Sequence, residues 1–266
     1  MIKTFPKQKG YHVNWLGGTG GGFLLTLTYL VEKQINRVIQ TYDFKSKKLM
    51  SFPSVTSTAL AHDNINMIDA NWDRKLTPKY YEEYVRKIAV YDIIEPHDRN
   101  KPIFFFDHFP VEPYTFFTMY PLCKLIVISV DEMDRQVAYG NLFLKTNEMF
   151  NHIKIIKPEK FKDYETQFDI PIDVLQKYIE AASSSVIIND IFHKDIKVEE
   201  KYIDKMYKID FRKLISDKEY VLDTVSSITR KPVTVTAEEF TMSYLVNHRN
   251  LIKTRLPWLV DYVYQK

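Results

Sequence analysis

Cysteine is nearly missing from this chain: Cys123 is the only one in 266 residues. A lone cysteine rules out an internal disulfide and fits a reducing compartment. Charge of one sign is missing as well. The formal net charge is only +3, so the total implies no nucleic acid or other polyanionic partner. Long apolar runs are equally scarce. Ile103 to Phe106 and Leu125 to Val130 fall far short of the roughly 20 residues that a membrane-spanning helix needs. No secretory signal is recognisable, and the expectation is a soluble cytoplasmic protein with no membrane partner. Internal repeats, low-complexity tracts and linkers are also lacking, so residues 1–266 are expected to form a single domain. What the chain has in quantity is core material, 45% hydrophobic and 14% aromatic residues.

Glycine is the most telling scarcity. There are seven in all, and five of them, Gly17, Gly18, Gly20, Gly21 and Gly22, fall within six consecutive positions. An extended-looking segment, His12 to Leu16, precedes them, and an apolar, helix-compatible run from Phe23 to Val31 follows. A strand, a tight glycine turn and a helix together aim backbone N–H groups and a helix N-terminus at a phosphate. Glycine suits such a loop because it takes backbone angles closed to other residues and lets an anion approach the main chain. The Walker A pattern would place a lysine and a hydroxyl residue after the last glycine, where Phe23 and Leu24 stand. Ordinary Mg²⁺-dependent ATP or GTP hydrolysis is therefore disfavoured, and with it a small-molecule kinase. A dinucleotide reading of the glycines needs an acid ending a second strand, and Asp43 is the candidate.

Further along, Phe23 to Gln40 reads as a helix, 41–60 as a loop, Asn64 to Asp69 as a short strand and Tyr80 to Val90 as a helix. Pro102 to Phe106 and Lys124 to Val130 are short continuous apolar runs, as parallel strands covered on both faces require. Asp134 to Met149 and Asp173 to Ala182 read as helices, Tyr207 to Phe211 as a last strand, and Asp217 to Ile228 and Ala237 to Thr254 as closing helices. Alternating strands and helices, with the glycine turn first, predict a three-layer α/β/α fold. Its central sheet is mostly parallel, with a P-loop-like strand-turn-helix at the N-terminus.

Candidate chemistry gathers where strands end. Asp107-His108-Phe109-Pro110 directly follows the Phe104 to Phe106 run, and ligands in open parallel sheets bind beyond the carboxyl ends of strands. A histidine there can take a proton from an attacking hydroxyl. Asp131, Glu132 and Asp134 read as acids opening a helix, whereas Arg135 is a candidate phosphate contact, with Tyr139 or Asn141 one turn on. His62-Asp63 and His97-Asp98 lack the partner spacing of a metal site, and no metal is expected. Cys123, Trp15, Trp72 and Trp258 read as core, with stacking on a base the alternative for Trp72 in its polar loop.

Three stretches, in order, resemble the sulfotransferase family, whose members move a sulfo group from 3′-phosphoadenosine 5′-phosphosulfate (PAPS) to a hydroxyl or amine. Trp15 to Leu25 looks like the family's strand and phosphosulfate loop, with Gly20-Gly21-Gly22-Phe23 on its Ser-Gly-Thr-Thr quartet. Phe106-Asp-His-Phe-Pro110 resembles the Lys-Thr-His-Leu-Pro segment that carries the catalytic base, and Cys123 to Val130 follows at matching distance. Ile209 to Leu222 is similar to the family's Tyr-Glu-Asp-Leu stretch and helix. The resemblance implies His108 as general base and a donor site drawn from Gly18, Thr19, Gly20, Gly21, Gly22 and Phe23. The resemblance also makes Arg135 a candidate contact for the 3′-phosphate, with Tyr139 nearby. It implies PAPS as co-substrate, no metal, and a small-molecule or glycan hydroxyl as acceptor. The family's arginine and serine fall on Val130 and Ala138, and the loop has Thr19 as its one hydroxyl. A non-catalytic nucleotide- or phosphate-binding protein of the same fold is the alternative.

Overall fold

A computed structural model describes residues 9–36, 39–43, 48–52, 67–69, 102–107, 111–145, 147–185, 192 and 198–264. Five strands form one sheet: β1 (Gly10–Asn14), β4 (Met67–Asp69), β5 (Ile103–Asp107), β6 (Cys123–Ser129) and β7 (Met206–Asp210). They lie in the order β4-β5-β1-β6-β7, and every neighbouring pair is parallel. The chain is thus mixed α/β around a parallel sheet. β6 explains why: its Leu125 to Ile128 run is completely buried, as a strand covered on both faces must be.

β2 (Ile39–Asp43) and β3 (Lys48–Phe52) pair antiparallel in a separate two-stranded sheet. The expected helix therefore stops earlier, at Glu32, and 41–60 is not all loop. The hairpin also disposes of the dinucleotide reading, because Asp43 does not end a strand of the parallel sheet. The expected helix over Tyr80 to Val90 lies outside the described residues, as do Trp72, His62-Asp63 and His97-Asp98.

Consecutive residues of β1 point to opposite sides of the sheet. The Tyr11 hydroxyl donates to Glu32 of α1 (Gly21–Glu32) at 2.6 Å, whereas the His12 ring meets Phe116 of α2 (Pro113–Met119) edge-on at 5.2 Å. α1 is apolar on nearly every side. It packs on β1 and β5 and also against α8 (Lys218–Thr229) and α9 (Val235–Arg255). Phe23, Leu24, Leu27, Leu30 and Val31 are accordingly buried.

After β6 come α3 (Asp134–Lys145), α4 (Asn147–Ile156), α5 (Pro158–Phe161) and α6 (Ile172–Ser183). The helix expected over Asp134 to Met149 is seen as α3 up to Lys145 and α4 from Asn147, with Thr146 outside the described residues. β7 leads straight into α7 (Phe211–Ser216), capped by Asp210, which accepts from the Lys213 N–H at 3.0 Å. Asp217 and Thr234 cap α8 and α9 in the same way, and α10 (Val260–Tyr264) ends the described chain.

Candidate anion-binding site

From β1 the chain leaves toward the β4–β5 edge; from β6 it leaves toward β7. The two connections diverge at the carboxyl ends of adjacent strands, which makes the β1–β6 junction the switch point where open α/β sheets bind ligands. The glycine turn follows β1 at this junction, and α3 follows β6.

The turn is closed by its own residues. The Thr19 N–H and hydroxyl both donate to the Leu16 carbonyl, at 3.2 and 2.7 Å. Thr19 is completely buried, so the one hydroxyl among the glycines serves to close the turn. Gly18 and Gly20 have φ of +86° and +80°, a conformation that costs L-residues energy. Gly20 is the N-cap of α1, with no side-chain cap and no acidic residue in the first helical turn. Among the described residues nothing accepts from the N–H groups of Gly21, Gly22 or Phe23. These are the orphan donors at the positive end of a twelve-residue helix, a place where an anion is stabilised.

Two helices grip this turn. On α3, a Cβ at Gly18 would lie 2.7 Å from the Ala138 carbonyl carbon and closer still to its oxygen. Asn141 Nδ2 donates to the Gly18 carbonyl at 3.2 Å, and Leu142 packs beside Gly17. On α9, the Tyr244 ring stacks on Phe23 with centroids 3.8 Å apart and planes 2° apart. The Tyr244 hydroxyl would sit 2.8 Å from a Cβ at Gly20. Phe23 is thus a core side chain, able to offer a ligand only its N–H.

Arg135 stands three residues before Ala138 and seven before Leu142, on the α3 face turned to the glycines. No described residue forms an ion pair or hydrogen bond with it, and its Nε is buried without a partner. The acids beside it are committed elsewhere. Asp131 and Asp134 each accept from the other's N–H, at 2.8 and 2.9 Å, and the Tyr262 hydroxyl donates to both. Burial and these two carboxylates push the Tyr262 hydroxyl far above the usual tyrosine range. The reading of Asp131 and Asp134 as helix-opening acids fits this geometry.

Other expected site residues fall differently. The Tyr139 hydroxyl meets the Tyr178 hydroxyl of α6 at 3.0 Å, so its contact is with that helix. Val130 and Ala138, where the resemblance puts an arginine and a serine, are buried at 0% and 1% exposure. His108 lies outside the described residues. The strand before it ends at Asp107, paired in register with Asn14, so β5 and β1 finish level with each other. Cys123 is buried, and burial raises its thiol pKa, as suits a core residue rather than a nucleophile. Among the described residues no group of three His, Cys, Asp or Glu side chains could hold a metal. No helix among them is long and apolar enough to cross a membrane.

His248 is the participant that sequence reading missed. Its Nε2 lies 2.9 Å from Asn141 Nδ2 and its Nδ1 lies 3.3 Å from the Tyr264 hydroxyl. Burial lowers its pKa to about 4, which keeps the ring neutral. It sits 107 positions from Asn141, so no local spacing could have announced the pair. Comparisons with protein-family models, with curated proteins and with solved structures return no match for this chain.

Proposed function

We propose that the chain binds a phosphate-bearing nucleotide at the amino end of α1 and transfers a sulfo group from PAPS to a hydroxyl acceptor, as the sulfotransferase resemblance implies. The observation that carries the binding half is the set of Gly21, Gly22 and Phe23 amides at the sheet's switch point, with Arg135 on the facing helix, none of which has a partner among the described residues. The sheet with α1 and α2 on its opposite sides supports a three-layer, P-loop-like plan.

In this reading the glycine amides take the 5′-phosphosulfate, and Arg135 takes a second phosphate. His108 removes the acceptor hydroxyl proton. The acceptor oxygen bonds to sulfur as the bond from sulfur to the phosphate oxygen breaks, in line. The leaving phosphate carries the released charge, where preorganised N–H donors are worth most. Calorimetry with 3′-phosphoadenosine 5′-phosphate and an intact-mass screen for sulfo addition across hydroxylated acceptors test the two halves separately. Absence of nucleotide binding at millimolar concentration sinks the proposal.

The second reading is a binder without chemistry. It is favoured by the burial of Val130 and Ala138 and by the lack of a lysine in the loop. A chain that binds the nucleotide yet adds no sulfo group to any acceptor in the screen is that binder.

A further inference from the structure

We infer that His248, on the long helix α9, is a positioning residue that holds the anion cradle in shape through Asn141; the inference rests on the site reading above. The Gly18–Thr19 peptide is fastened at both ends. Its N–H donates to the Leu16 carbonyl at 3.2 Å, and its carbonyl accepts from Asn141 Nδ2 at 3.2 Å. A trans peptide held at both poles cannot rotate, so the residues after it enter α1 on a fixed course.

Donor bookkeeping sets the rest of the chain of bonds. A carbonyl only accepts, so the Asn141 atom facing Gly18 must be the amide nitrogen. That nitrogen also faces His248 Nε2 at 2.9 Å, which must then accept. The proton therefore sits on Nδ1 and is donated to the Tyr264 hydroxyl. Asn141 and His248 are only 7% and 8% exposed, so water is a poor substitute for either partner. Tyr244, one helical turn before His248, stacks on Phe23, and the same stretch of α9 thus touches the cradle twice. Removing the acceptor strands a buried Asn141 donor, and the amide is then free to let the Gly18 carbonyl go.

The test compares H248F, which removes the acceptor and keeps a ring, with H248Q, whose amide oxygen can take the place of Nε2. Two readouts are made on the full chain: calorimetric affinity for inorganic phosphate, and hydrogen exchange at the amides of residues 20–23 relative to those of β6. The expected result is a phosphate affinity about 5- to 10-fold weaker in H248F, with faster exchange confined to the turn. H248Q should stay within about twofold of the parent on both readouts. Should H248F not fold, Y264F, which frees the Nδ1 proton, is expected to shift the imidazole ¹⁵N signals toward the other tautomer and to speed exchange at the turn. Unchanged exchange in H248F, or equal losses in H248F and H248Q, overturns the inference. If the parent chain binds no phosphate while H248F still loosens the turn, the positioning role stands and the site reading falls.

Discussion

Replacing Gly18 with alanine puts the close packing of the turn to a quantitative test. The new Cβ would stand 2.7 Å from the Ala138 carbonyl carbon and 3.2 Å from its Cα, with the oxygen nearer still. All three atoms are helix backbone, so relief requires α3 or the turn itself to move. The φ of +86° adds a second penalty. A left-handed conformation costs an L-residue about 1–2 kcal/mol, and overpacking costs about 1–3 kcal/mol. The sum is roughly 2–5 kcal/mol, or a melting temperature lower by about 5–15 °C for a chain of this size. Gly17→Ala is the control. Its Cβ would meet Leu142 Cδ2 at 3.5 Å, an ordinary contact, and its φ is not positive. G17A should therefore be neutral or slightly stabilising. Scanning calorimetry of both variants decides: G18A melting within about 1 °C of G17A refutes the packing of α3 on the turn.

Other variants separate binding, chemistry and stability. Arg135→Ala should weaken binding of 3′-phosphoadenosine 5′-phosphate by about 10- to 100-fold, the worth of a charge-assisted bond, with little change in melting; an unaltered calorimetric affinity counts against its role. His108→Ala should lower sulfo transfer by about 10²–10⁴-fold while nucleotide affinity holds, read by a single-turnover mass assay. His12 and His248 have pKa values lowered by burial to about 3 and 4. The unfolded chain therefore binds more protons below pH ~6.5. Stability should be full above that pH and fall as pH drops toward 4, and H248Q should flatten the slope in urea titrations at successive pH values. At the alkaline end Tyr11, Tyr178 and Tyr262 are all raised, chiefly by burial. Their contribution should persist below pH ~10 and fade above it, with tyrosinate absorbance rising only as the chain unfolds.

Much of the sheet could be read directly from the chain. β5 and β6 were expected one residue away from where they lie, because an uninterrupted apolar run as short as Leu125 to Val130 is what a strand covered on both faces requires. α6, α8 and α9 followed from apolar runs or helical spacing, and α1 from its apolar run, which was expected to carry the helix on to Gln40. The β2–β3 hairpin did not, because Ile39 to Asp43 directly continues a helix-compatible stretch with no strong stop signal before it. At the site, the glycine cluster announced a turn, and its αL positions at Gly18 and Gly20 show what the glycines are for. What no spacing conveys is which helices come to lie against that turn. Ala138, Tyr244 and His248 are ordinary helix residues until the fold brings α3 and α9 together over Gly18 and Gly20, and Asn141, a hydrogen-bonding candidate from the sequence, meets the Gly18 carbonyl there. Tyr139, one position from Ala138, faces α6 instead. A difference of one residue on a helix is a rotation of about 100°, and sequence alone did not fix that phase.

The most direct measurement is an amide-resolved NMR titration of the full chain with 3′-phosphoadenosine 5′-phosphate. The Gly21, Gly22 and Phe23 amides should shift together and saturate at the affinity found by calorimetry, and Arg135→Ala should weaken that response. Shifts that leave these three amides untouched, or that cluster around another strand end, contradict an anion held at the start of α1.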